Sequence, residues 1–268
     1  MKSALPNNGP LRSMKRIAYI ILSTALIGYA SLCAAMYVFQ RSLIYYPQPR
    51  SVTAPESTLK LPVDGAEVLV TVRPLDGPKA IVYFGGNGED VSQNLDSYAK
   101  AFPDHALYLM HYRSYGGSTG QPTEKANVAD GLALFEKVRA LHPEVAIFGR
   151  SLGTGVAVQV ASRVTTSRLV LITPYDSIVE IGAQMYPLLP VRWLAVDTYE
   201  SGKFAPRIRF PTTIIEAEND EVIPHASTEK LLSRFEPGVA KMTVIEGVGH
   251  NDLGKNTKYR ETLQAALK

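Results

Sequence analysis

With 268 residues, 46% of them hydrophobic, the chain is long enough for one α/β domain with a large core and an appendage. The net charge of +3 is unevenly spread. Residues 1–50 hold six basic side chains and no acidic one, and the remainder carries 22 basic against 25 acidic, which leaves no basic stripe for a nucleic acid. The single cysteine, Cys33, excludes an internal disulfide.

Residues 1–16 are polar and basic, and Pro6, Asn7, Asn8, Gly9 and Pro10 predict disorder. Ile17 to Phe39 follows without one charge. As a helix it would span about 34 Å, enough for a bilayer core of ~30 Å. A cleaved signal peptide is disfavoured, because the apolar run continues through Met36-Tyr37-Val38-Phe39 past the small residues. A lipoprotein signal would need a small residue before Cys33, where Leu32 stands. An amphipathic core helix does not fit a segment apolar on every side. The reading is an uncleaved signal anchor, with a cleaved peptide as the alternative. Arg12, Lys15 and Arg16 would hold the N-terminus in the cytoplasm and place the rest across the membrane, in the periplasm if the source is bacterial.

Residues 40–62, proline-rich from Leu43 on, read as a linker lying against the domain, and residues 63–268 as that domain. Expected strands are Glu67–Arg73, Ala80–Phe84, Ala106–Tyr112, Val145–Phe148, Arg168–Ile172, Thr212–Glu216 and Lys241–Ile245. Expected helices are Val91–Phe102, Glu124–Leu141, Thr154–Val164, Ala226–Phe235 and Asn256–Leu267, the second with Val128, Leu132, Phe135 and Val138 on one face. This alternation predicts an α/β fold with a mainly parallel sheet covered by helices on both faces.

Gly149-Arg150-Ser151-Leu152-Gly153 fits G-x-S-x-G and stands between a strand pattern and a helix pattern. A strand reversing so sharply into a helix would hold Ser151 exposed at the turn, beside the amides of a helix N-terminus. A serine hydroxyl is a poor nucleophile unaided and needs a base, an orienting acid and oxyanion donors. Parallel sheets put such groups beyond the C-terminal ends of their strands. After Ala80–Phe84, the loop Gly85-Gly86-Asn87-Gly88-Glu89-Asp90 offers the backbone N–H of Asn87 as an oxyanion donor beside that of Leu152. The Asn87 side chain would be free to order this loop. No G-K-[ST] follows, so the loop does not read as phosphate-binding. Arg113-Ser114-Tyr115-Gly116-Gly117-Ser118 reads as scaffold and pocket wall. Asp220 and Asp176 both follow strands, and Asp220 is preferred as the orienting acid because it precedes the expected histidine loop. His250, between Gly249 and Asn251 after the last strand, is the candidate base.

The order Ser151, Asp220, His250, together with these motifs, resembles the α/β-hydrolase superfamily. Within it, the chain is similar to the membrane-anchored Bem46-like branch with its ABHD13- and ABHD17-type hydrolases. The carrying stretches are the anchor followed by Phe39-Gln40-Arg41-Ser42-Leu43-Ile44-Tyr45-Tyr46-Pro47, then Tyr112–Ser118, Gly149–Gly155, Tyr186–Val191, Asp220–Pro224 and Gly249–Asp252. One departure is Gly85-Gly86, where the family often has His-Gly. The resemblance implies an α/β-hydrolase fold and a serine hydrolase acting on carboxylic esters or thioesters of acyl groups. A peptidase or amidase of the same fold is one alternative, and a catalytically silent membrane-tethered binding protein is another. No metal or organic cofactor is expected. Between Thr173 and Pro211 the chain is too short for a separate cap domain but rich in apolar residues. With Tyr115, the residues Tyr175, Tyr186 and Trp193 of this insertion are candidates for an acyl pocket, and packing over the sheet edge is the alternative for them.

Overall fold

Apolar runs of five to eight residues alternate with helical stretches, and in the computed structural model, which describes residues 9–268, they form one eight-stranded sheet with helices on both faces. Helix α1 (Gly9–Ile44) comes first. It contains the uncharged run 17–39 and is long and apolar enough to cross a membrane, with none of its apolar window buried in the rest of the chain. Of the tract 1–16, residues 1–8 lie outside the described residues, and Gly9 onward is helical.

Strand β1 (Thr58–Val63) lies, except for Val63, inside the stretch that composition reads as linker. It pairs antiparallel with β2 (Ala66–Arg73), from Thr58 opposite Thr71 to Val63 opposite Ala66. Pro62 disguises this strand in the sequence, yet β1 is the sheet's edge, where a missing N–H is tolerated. Next come β3 (Lys79–Phe84), α2 (Leu95–Ala101), β4 (Ala106–Met110), α3 (Glu124–Arg139), β5 (Glu144–Arg150), α4 (Leu152–Ala161) and β6 (Arg168–Ile172). The insertion holds α5 (Ile178–Met185), α6 (Val191–Leu194) and α7 (Ser201–Phe204). The chain ends with β7 (Thr212–Ala217), α8 (His225–Leu232), β8 (Ala240–Ile245) and α9 (Thr257–Ala265).

The strand order is β1-β2-β4-β3-β5-β6-β7-β8, with β2 antiparallel to both neighbours and every later pair parallel. Alternation along each strand fills two cores. Ala80, Val82 and Phe84 face the layer of Leu134, Phe135 and Val156, whereas Ile81 and Tyr83 face that of Tyr98, Phe102 and Tyr259. On α3, Val128, Phe135 and Val138 are buried as the helical period requires, and the Thr123 side chain caps it by accepting from Ala126 N at 3.0 Å. From β3 the chain crosses to β4 on one side and then to β5 on the other. The loops leaving β3 and β5 therefore meet at the switch point, where open α/β sheets hold their sites.

Candidate active site

Ser151 is the only residue between β5 and α4, and it has φ 49° and ψ −122°. Such a backbone in a non-glycine residue costs on the order of 1–3 kcal/mol and persists only when its surroundings impose it. Three bonds do so: Ser151 N donates to Ile172 O at 2.9 Å, while Thr154 N and Oγ1 donate to Ser151 O at 2.9 and 2.7 Å. The flanking glycines are sterically required. A Cβ on Gly153 would sit 2.1 Å from Phe84 O, and one on Gly149 would sit 2.6 Å from Gly153 O.

β7 and β8 are adjacent and parallel, so the loops that follow them run side by side, tied by Asn219 N donating to Val248 O at 3.0 Å. Asp220 and His250 thereby meet. His250 Nδ1 lies 2.8 Å from Asp220 Oδ2 and 3.0 Å from Oδ1, and His250 Nε2 lies 3.0 Å from Ser151 Oγ. With the proton on Nδ1, the ring donates to Asp220 and accepts from the serine hydroxyl. All three side chains are largely withdrawn from solvent. Burial alone would raise the Asp220 carboxyl, but the hydrogen bonds from His250 and from the N–H groups of Ile223 and Val222 outweigh it and hold it below its ordinary value. Asp176 is not part of this arrangement; it pairs with Lys230 at 2.8 Å and Arg234 at 3.4 Å.

The loop after β3 lies against Ser151, since a Cβ on Gly86 would sit 3.6 Å from Ser151 Cβ. Neither Asn87 N nor Leu152 N donates to any acceptor among the described residues, which leaves both N–H groups available to an oxyanion. The Asn87 side chain does not order this loop; Tyr115 and Glu89 do. Buried Tyr115 donates its hydroxyl to Asn87 O at 2.5 Å and accepts from Tyr46 N at 2.8 Å. Tyr115 therefore stands behind the loop and is not among the residues lining the cavity at Ser151, contrary to the sequence expectation.

Glu89 and Arg150 carry no signal in the sequence beyond being charged residues next to glycine motifs. The Glu89 carboxylate accepts from Gly86 N at 2.7 Å, Tyr83 Oη at 2.7 Å, Asn94 Nδ2 at 2.5 Å and Arg150 Nη1 at 3.1 Å. Arg150 Nη2 also donates to His250 O at 3.3 Å and Asn251 Oδ1 at 3.1 Å. Burial opposes the guanidinium charge, yet the Glu89 carboxylate outweighs it and raises the Arg150 pKa. The pair ties the loop carrying Asn87 to the loop carrying His250. Glu221 adds a further tie through Oε2, which accepts from His250 N at 3.1 Å.

A cavity of about 950 Å³ opens above Ser151 and His250. Tyr175 and Tyr186 line it, and Trp193 does not. Val191 and Leu194 of α6 turn inward, which leaves Trp193 on the outer face with 90% of its surface exposed. One wall had no counterpart in the sequence reading: Met36, Gln40, Leu43 and Ile44 from the end of α1. Among the described residues, no group of three or more His, Cys, Asp and Glu side chains is placed to hold a metal ion.

No family model matches the chain. The Mycobacterium tuberculosis protein Rv2307c is 31% identical over 251 residues, covering 85% of this chain and 87% of the relative. The Caenorhabditis elegans α/β-hydrolase domain-containing protein aho-3 is 30% identical over 204 residues, 73% of this chain and 60% of that protein. Among solved structures, an esterase of Pyrococcus furiosus superposes with a TM-score of 0.65 at 14% identity, covering 84% of this chain and 98% of its own. The chain has the α/β-hydrolase fold. Est1E of Butyrivibrio proteoclasticus, solved with ferulic acid bound, shares the fold with a TM-score of 0.61 at 14% identity, covering 78% of this chain and 96% of its own. In this chain, two walls of the cavity come from the helical insertion and from the end of α1.

Proposed function

We propose that the protein is a membrane-anchored serine hydrolase that cleaves carboxylic ester or thioester bonds of acyl substrates, with Ser151 as nucleophile, His250 as base and Asp220 as orienting acid. The observation that carries this reading is the unbroken relay from Ser151 Oγ to His250 Nε2, at 3.0 Å, and from His250 Nδ1 to Asp220 Oδ2, at 2.8 Å. His250 Nε2 takes the hydroxyl proton as Ser151 Oγ attacks the acyl carbonyl. The N–H groups of Leu152 and Asn87 receive the oxyanion. The imidazolium then returns its proton to the departing alcohol or thiol. Water next attacks the acyl-enzyme, again giving its proton to His250, and frees the acid and Ser151. Ionised Asp220 keeps Nδ1 protonated through the cycle. Placement in the Bem46-like branch fits the anchor followed by Phe39–Pro47 and the Tyr112–Ser118 and Asp220–Pro224 stretches.

The anchor reading rests on the uncharged run 17–39, its basic N-terminal flank and an apolar window of which nothing is buried in the rest of the chain. The full-length protein should label with a fluorophosphonate probe, and Ser151→Ala should not. Labelling that survives in the alanine variant would place the nucleophile elsewhere, and no labelling of either protein would favour a silent binding protein. Resistance to carbonate extraction tests the anchor, and a mature N-terminus near Ala35 would replace it with a cleaved signal.

A further inference from the structure

Beside the cavity, the chain from Ile181 to Val191 contains no charged residue. Leu188 at its tip is 85% exposed, and Met185 and Trp193 also face outward. In water this would be a costly apolar patch. Three hydrogen bonds set its height against α1. Tyr29 donates its hydroxyl to Leu188 O at 2.9 Å, and Gln40 donates Nε2 to Leu194 O at 3.1 Å while accepting from Val196 N at 2.7 Å. Tyr29 and Gln40 are eleven positions apart, roughly 16 Å along a helix. Tyr29 lies near the middle of the uncharged run 17–39, so the turn descends from the run's end to a depth where hydrocarbon is expected.

The polar chemistry agrees with that depth. A tyrosine hydroxyl and a turn carbonyl in hydrocarbon each need a partner, and here each satisfies the other. The nearest charges, Glu180 before the turn and Arg192 within it, neutralise each other in a bidentate pair with both contacts at 2.8 Å. Trp193 adjoins Leu194, which Gln40 holds just past the end of the uncharged run, the depth at which tryptophans gather at a membrane interface. The cavity, meanwhile, is walled by Met36, Leu43 and Ile44 of α1 and by Met185 and Leu189 of the insertion.

We propose that the turn 185–194 is embedded in the same bilayer as α1 and that the cavity opens between them onto the acyl region, so that the substrate is a membrane lipid bearing an acyl ester or thioester. The embedding rests on α1 spanning a membrane, and the substrate class rests on the hydrolase reading above. The two can fail separately.

Trp193 is the sole tryptophan, so the fluorescence of the full chain reports this turn alone. The protein is reconstituted in phosphatidylcholine vesicles, with or without acyl chains brominated near the glycerol end. Blue-shifted emission quenched by the brominated lipid and shielded from iodide supports the embedding. Emission quenched by iodide but not by bromine overturns it, as does shielding from both, which would mean that protein covers the turn. Turnover is then compared for a long-chain ester dissolved in the vesicles and a short soluble ester. Leu188 does not line the cavity. Leu188→Asp, which drives a carboxylate into hydrocarbon, should lower vesicle turnover ~10-fold or more and change soluble turnover by less than ~2-fold. Equal effects on both substrates would overturn supply from the bilayer. If the unaltered protein cleaves neither ester, the hydrolase reading falls, while Trp193 quenching still decides the embedding.

Discussion

Arg150→Met tests whether one ion pair positions the two loops of the site. Methionine keeps the aliphatic stem and removes the contacts of Nη1 to Glu89 and of Nη2 to His250 O and Asn251 Oδ1. Removing one partner of a buried pair typically costs ~3–5 kcal/mol. Here the Arg150 side chain is 23% exposed and the Glu89 side chain 13%, and Glu89 keeps the donors Gly86 N, Tyr83 Oη and Asn94 Nδ2. Water and these donors offset part of the loss, so ~2–3 kcal/mol is expected. That corresponds to a Tm lower by roughly 4–12 °C. With the His250 loop no longer tied to the loop carrying Asn87, kcat should fall ~10–100-fold with KM little changed. Arg150→Lys retains the charge but not the forked geometry and should recover only part of both losses. The assays are thermal unfolding and steady-state hydrolysis of a p-nitrophenyl ester by the full-length protein in detergent. A double-mutant cycle with Glu89→Gln should give a coupling of about 1–3 kcal/mol. A variant that melts and turns over like the unaltered protein would refute the argument, and so would a coupling near zero.

Ser151→Ala should lower kcat by ~10⁴ or more without reducing thermal stability, and relief of the hydroxyl's burial is too small to mask that. Asp220→Asn should cost ~10³–10⁴ in kcat by releasing the histidine tautomer, whereas Asp176→Asn, remote from His250, should leave kcat within a few-fold as measured on the same ester. Because the folded-state pKa of Asp220 lies below its ordinary value of 3.8, its ionised form contributes stability that is present above that value and lost as pH falls through the folded value. The Tm gap between Asp220→Asn and the unaltered protein should therefore narrow below pH ~4. Gly153→Ala should destabilise by ~1–3 kcal/mol and impair activity, since its methyl group meets backbone oxygens of Phe84 and Gly85 that cannot rotate away. On soluble esters, kcat/KM should rise from acetyl towards octanoyl, as each buried methylene adds ~0.8 kcal/mol, and a flat profile would argue against an apolar acyl pocket.

The elements that depend on local patterns were legible along the chain. Burial on both faces makes strands such as Arg168–Ile172 continuous apolar runs, and a helix packed on one side must repeat its apolar residues at the period seen in Val128, Phe135 and Val138. The turn at Ser151 was legible because its glycines answer a local steric demand of strand against helix. A charge-free run shows its length without any partner, so α1 was legible too. Strand β1 was hidden by Pro62, whose tolerance depends on lying at the sheet's edge, a property of the assembled sheet rather than of six residues. The choice of Asp220 over Asp176 followed from chain order, but only the adjacency of β7 and β8 brings its carboxylate to His250. Glu89 and Arg150 are separated by 61 positions and become partners at the switch point between β3 and β5. Tyr115 and Trp193 were read as pocket residues because they are aromatic and near the site. Aromatic character says that a side chain will bury area, not against what, and the fold sends one ring behind the loop carrying Asn87 and turns the other outward beside α1. The end of α1 became a wall of the cavity for the same reason: which surfaces face one another is decided by packing across distant segments, and no local period encodes it.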